Sequence, residues 1–179
     1  MDERQHQEHK LGELILLVAE LSQDDPAFGD VKLNKLLFFS DFLAFTNLGR
    51  AITGVDYFKL EHGPAPRRML PVRAELVRRG AVRTEQRGVA YPRTVTVPLR
   101  PANRRLFSRR ELDLVAEVVE LFDHADATTI SDISHRVSAG WNLVGLKEAI
   151  PYETALIVTE PPPLAALEFG RDLARQHGW

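Results

Sequence analysis

Asp30-Val-Lys-Leu-Asn-Lys-Leu-Leu-Phe-Phe-Ser-Asp-Phe-Leu-Ala-Phe-Thr-Asn47 turns apolar side chains in almost every direction around a helix. Leu33, Leu36, Leu37, Phe38, Phe39, Phe42, Leu43 and Phe45 leave no wide polar face, and such a helix belongs in the middle of a fold. Asp30 is suited to cap its start, and Gly49 to stop it. At roughly 1.5–3 kcal/mol per fully buried large side chain, this segment should contribute most to stability. Asp41 stands out within it. A buried carboxylate needs a partner, and Lys35, His62 or an arginine beneath a downstream hairpin are the candidates.

The flanking sequence supplies shorter elements. Upstream, residues 10–21 form an amphipathic helix through Leu14, Leu17, Val18 and Leu21, behind a polar stretch, 1–9, expected to be flexible. Downstream, residues 55–60 alternate weakly as a strand. Gly63-Pro-Ala-Pro66 then reads as a turn into a third helix that reaches Arg79, bends at Pro71 and stops at Gly80. A hairpin follows, from 81–86 and 89–97 about Arg87-Gly88, with Val89, Tyr91, Val95 and Val97 on one face and Pro92 indicating a sheet edge. Ser108-Arg-Arg-Glu111 is a capping box for a helix ending at Phe122. Thr129 with Asp132 opens a fifth helix in the same way, and residues 164–176 form a last one after Pro161-Pro-Pro163. The expected fold is a single domain over 1–179, mainly α with a small antiparallel β element: a compact helical α+β domain carrying a β-hairpin.

Composition narrows the function classes. The chain has 179 residues, 44% apolar and 27% charged, in the range of a globular domain. Without cysteine it has no disulfide, thiol nucleophile or thiolate metal site. No basic start precedes an apolar run, and no apolar stretch is long enough to span a bilayer, so a cytoplasmic protein with no membrane association is expected.

The net charge of −2 conceals a strong segregation. Residues 67–110 hold thirteen arginines against Glu75 and Glu85, while the first 66 residues carry −5 and the last 69 carry −8. Arginine grips either phosphates or carboxylates. Three readings stay open: an acidic protein partner, nucleic acid, or a face balanced by the chain's own acidic ends. Arg67, Arg68, Arg78, Arg79, Arg83, Arg87 and Arg93, with Tyr91 as an apolar anchor, are the candidate partner-binding residues, since arginine and aromatic residues dominate interface hot spots. A basic helix before a basic hairpin also resembles a winged helix, which makes a DNA- or RNA-binding regulator the alternative. The strand at 55–60, lying between the second and third helices, counts against it.

Catalytic signals are thin. His124, Asp126, Asp132 and His135 are close in sequence, and Asp132 and His135 share a helix face, but carboxylates at helix starts are ordinarily caps. Ser134 and His135, adjacent on a helix, point about 100° apart and form no nucleophile–base pair. There is no phosphate loop, zincin motif or nucleophile elbow. No enzyme activity, cofactor or metal site is expected.

Three blocks of sequence resemble one known family. Lys32-Leu-Asn-Lys-Leu-Leu-Phe-Phe-Ser-Asp41 is similar to the signature helix of the Panacea domain, also called the SocA-like antitoxin domain. The likeness continues through Gly49-Arg-Ala-Ile-Thr-Gly54 and Tyr57-Phe-Lys-Leu-Glu-His-Gly-Pro-Ala-Pro66. It returns in Ser131-Asp-Ile-Ser-His135, Trp141 and Ile150-Pro-Tyr-Glu153. The arginine-rich hairpin and, apart from Trp141, residues 139–149 match no part of that pattern. The resemblance implies an antitoxin of a bacterial or phage toxin–antitoxin system, neutralising a toxin by protein–protein contact. Delivery of the toxin to a protease, such as an AAA+ protease, is a further implied route. Lys32, Asp41, Gly54, His62, Gly63, Pro64, Pro66, His135, Trp141, Tyr152 and Glu153 carry the motif and read as structural, with Trp141 a core anchor whose indole N–H is partnered.

Overall fold

A computed structural model describes residues 2–89, 92–157 and Arg175. Among the described residues, six α-helices accompany two small antiparallel sheets, as the α+β reading anticipates. Helix α2, Asp30–Leu48, runs through the centre: Leu33, Leu36 and Leu37 are wholly enclosed, and Phe38 and Phe42 sit 4.1 Å apart between ring centroids. Gly49 ends α2 in the left-handed conformation (φ 75°). Gly29 occupies the cap position, so Asp30 lies inside the first turn.

Helix α1, Glu3–Leu21, starts seven residues before the expected point. Asp2 accepts from the Gln5 amide while Gln5 reaches back to the Asp2 N–H, a capping box that draws the stretch expected to be flexible into the helix. Strands β1, Tyr57–Leu60, and β2, Gly63–Pro66, then form a hairpin. Gly63-Pro-Ala-Pro66 is thus a strand, and the reading of it as a turn into a helix is corrected. Spatial order in this sheet is β2-β1-β5, with β5 at Ala149–Ile150, so the prolines fall on an edge strand where no ladder N–H is missed. Helix α3, Met69–Arg78, takes Pro71 in its first turn without disruption, because the first amides have no intrahelical acceptor.

The second sheet pairs β3, Val82–Arg87, with β4, Arg93–Pro98, in the register Arg87↔Arg93. Its connection is therefore longer than the two-residue turn expected at Arg87-Gly88, and Val89 is fully exposed. Helix α4, Arg109–Leu121, opens with the anticipated capping box of Ser108 and Glu111. Helix α5, Ala127–Val137, is capped by Asp126, not Thr129. A short α6, Ala139–Leu143, and a 3-10 segment, Tyr152–Leu156, complete the described chain. Tyr91 and, apart from Arg175, the helix expected at 164–176 lie outside the described residues.

The arginine-rich third wraps α1. Arg68 meets Glu8, Arg100 meets Glu13, and Arg104 approaches Glu20, so three α1 glutamates each receive an arginine from the middle of the chain. Arg73 pairs with Asp30 at the start of α2, and Arg93 donates to the Pro26 and Phe28 carbonyls in the α1–α2 loop. Burial pushes the Glu13 carboxyl up, but bonds from Arg100 and the Asn103 amide outweigh it and hold the group below its ordinary value.

Candidate functional site

Helix α2 carries three buried charged side chains, each met differently. Asp41 is entirely enclosed. Its Oδ1 accepts from the Thr53 amide at 2.7 Å, and its Oδ2 from the Thr53 hydroxyl at 2.5 Å and the Tyr57 hydroxyl at 2.8 Å. None of the expected partners, Lys35, His62 or an arginine, touches it; neutral donors from the loop after α2 and from β1 fill the role. Burial raises the Asp41 carboxyl above its usual range, against the pull of those donors, and raises Tyr57 as well. Tyr152 closes the cluster, stacking on Phe42 and Phe45 and donating to the Val55 carbonyl at 2.7 Å. Gly54, at φ 70°, turns the loop that delivers Thr53.

Lys32 and Lys35 follow one turn apart. Lys32, 1% exposed, meets Asp25 at 2.5 Å and the Ala125 carbonyl at 2.8 Å, tying the α1–α2 loop to the approach to α5. Lys35, 2% exposed, donates to the His62 backbone carbonyl and forms no ion pair among the described residues. Desolvation pulls its pKa down to about 8. The His62 side chain is exposed, so the motif histidine acts here through its carbonyl. Gly63 (φ 101°) makes room beside the ammonium: a Cβ there would lie 2.9 Å from Lys35 Nζ and 3.1 Å from His135 Nε2.

His135 stacks on Trp141 at 3.8 Å and 12°, and Lys59 Nζ sits 4.2 Å above the same indole. Burial, then the Lys35 charge, lowers the His135 pKa and favours the neutral ring at pH 7. Among the described residues nothing hydrogen-bonds His135 Nε2 or Trp141 Nε1, so the partner expected for the indole N–H is missing. Pro64 and Pro66 are buried in β2, whereas Glu153 is exposed. Motif residues therefore gather in two groups along β1: the Asp41 cluster, met by Tyr57, and the Lys35–Gly63–His135–Trp141 cluster, met by Lys59 and the hairpin turn.

The candidate partner-binding arginines do not form one patch of free cations. Arg78 and Arg79 share Glu75, and Arg83 and Arg87 share Glu85, all at the surface. Arg68 and Arg93 are turned onto the chain's own acceptors, as above. Arg67 lies over the Phe58 ring. The possible catalytic group also disperses. His124 pairs with neighbouring Asp123 at the surface, Asp126 caps α5, and Ser134 donates to the Ser131 carbonyl. No group of three or more potential ligands poised for a metal occurs among the described residues.

Lys35 was legible only as a possible partner for Asp41, and Lys59 was missed. Lys59 is placed by β1, and Lys35 on α2 finds its acceptor at the β1–β2 turn, part of a hairpin whose second strand reads as a turn in the sequence.

A helical fold with a buried, polar-pinned β-hairpin against α2 is the architecture into which the three sequence blocks fit. The family model described as antitoxin SocA-like, Panacea domain matches residues 33–142, and the chain belongs to that family. No curated protein and no solved structure matches it. Among the described residues, no helix is long and apolar enough to cross a membrane.

Proposed function

We propose that this chain is the antitoxin of a toxin–antitoxin pair and neutralises its toxin by direct protein–protein contact in the cytoplasm. Membership of the antitoxin family supports the class. The observation that carries the binding mode is how its polar groups are used. Asp41 and Asp126 are engaged in holding the fold, and His124 pairs with its neighbour Asp123 at the surface. Meanwhile large apolar side chains stand in solvent beside the motif residues, Leu60 at 41% and Leu146 at 60% exposure. A rigid scaffold that presents apolar groups with a polar surround is suited to protein recognition. The arginines' ion pairs with the chain's own carboxylates leave fewer of them for a phosphate backbone, which weighs against the nucleic-acid alternative. Transfer of the bound toxin to a protease would follow this contact and depends on it.

Co-expression with a candidate toxin encoded beside it tests the reading. Rescue of growth and co-elution of the two proteins on size exclusion are expected. Unrelieved toxicity with abundant antitoxin, and separate elution, would contradict it.

A further inference from the structure

A buried lysine without a counter-ion is an unfavourable choice for a position that only has to be filled. Among the described residues Lys35 has no counter-ion, while Lys32 on the same helix has Asp25. The Lys35 ammonium uses one proton on the His62 carbonyl, and among the described residues no acceptor takes its other two. It borders a cleft of about 370 Å³ between the first turns of α2 and the β1–β2 hairpin. Val31, Leu60, Ala65 and Leu146 make the cleft's apolar walls.

Two further observations concern what the cleft would hold. Asn34 also lines the cleft, and its side-chain oxygen is enclosed without a hydrogen-bond partner among the described residues. A carboxamide interchanges oxygen and nitrogen by a flip, so Asn34 can offer its NH2 to an acceptor at the same place. Nearby carboxylates do not neutralise Lys35: Asp30 is held by Arg73, and Glu61 is exposed and makes no ion pair among the described residues. Gly63 keeps open the space into which a Cβ would project between Lys35 and His135.

We propose that this cleft receives an acidic side chain of the partner protein, an aspartate or glutamate next to an apolar residue. The carboxylate bonds to Lys35 and Asn34, and the apolar neighbour packs between Leu60 and Leu146. The inference rests on the protein-binding function above and names the surface and chemistry of that contact. It also places recognition within and beside the motif segments 32–41 and 57–66, and away from the arginine-rich hairpin.

Titration calorimetry of the co-expressed toxin against the wild type, Lys35→Met and Leu146→Glu is the first arm. Both variants should remain folded by circular dichroism, and each should bind at least tenfold more weakly, since truncating one partner of a buried charge pair has a large effect on dissociation. Equal binding by wild type and a folded Lys35→Met variant would overturn the inference while leaving the antitoxin reading intact. The second arm needs no toxin. NMR titration with 4-methylpentanoate should shift the Gly63 amide and the Asn34 side-chain amide, and 4-methylpentanamide should not. If the wild type binds no toxin, or Lys35→Met fails to fold, this arm decides: acid-specific shifts support the cleft, and identical responses to acid and amide overturn it.

Discussion

Lys32 and Lys35 leave the same helix one turn apart and are equally hidden from water, yet among the described residues only Lys32 has a counter-charge. At the Lys32 end, Asp25 and the Ala125 carbonyl complete the ammonium's environment, and the contact joins two distant loops. At the Lys35 end a single backbone carbonyl serves, beside an open cleft. Burial alone therefore does not reveal what a charged residue is for. The first lysine is explained by the fold, and the second is left with bonding capacity that the fold does not use.

The difference can be tested by removing each charge in turn. Lys32→Met strands a carboxylate, Asp25, that is 8% exposed. Breaking a buried pair from one side typically costs about 3–5 kcal/mol, and chemical denaturation should show a loss of that order. Lys35→Met strands only a carbonyl, so its stability at pH 7 should equal or exceed that of the wild type. A comparable loss in both variants would erase the contrast.

Alkaline pH sharpens it further. The Lys35 pKa is about 8 in the folded protein, below the ordinary lysine value of 10.5. Between those values the unfolded chain binds the extra proton, so the contribution of Lys35 to stability rises as pH increases through that window. Its full size is on the order of 3 kcal/mol. The wild type should gain stability relative to Lys35→Met from pH 8 to pH 10, and parallel pH profiles would refute the unpaired-ammonium description.

Gly63→Ala comes next, with an expected loss of about 1–3 kcal/mol from a side chain at positive φ. The added Cβ also crowds the Lys35 ammonium, so partner binding should fall more than thermal stability does. Smallest of all is the response to Arg78→Ala or Arg83→Ala. Their ion pairs are exposed, and such pairs contribute little; calorimetric melting temperatures should not change measurably.

Legibility in the sequence followed the range of the interactions. Helix α2, its Gly49 stop and the Ser108–Glu111 capping box depend on neighbours within a few residues, and each was readable. So was the β3–β4 hairpin, although not the length of its connection. The β2 strand was misread because glycine and proline favour turns locally, whereas pairing with β1 and packing on α2 decide the outcome. Asp41 was correctly marked as needing a partner, but Thr53 and Tyr57 reach it only through the loop and strand after α2. The arginines show the same limit at greater distance. The balance between Arg100 and Glu13 spans 87 residues of chain, so charge totals revealed the segregation without showing that much of it is resolved internally. The cleft at Lys35 has no local signature, since it exists only once the hairpin has closed over α2.

Growth rescue in cells expressing the toxin compares the two surfaces most directly. Antitoxin carrying Arg78→Ala, Arg79→Ala, Arg83→Ala and Arg87→Ala together should still protect, and antitoxin with Lys35→Met, present at equal soluble level, should not. Protection by the Lys35→Met protein together with death in the arginine-depleted strain would contradict the account.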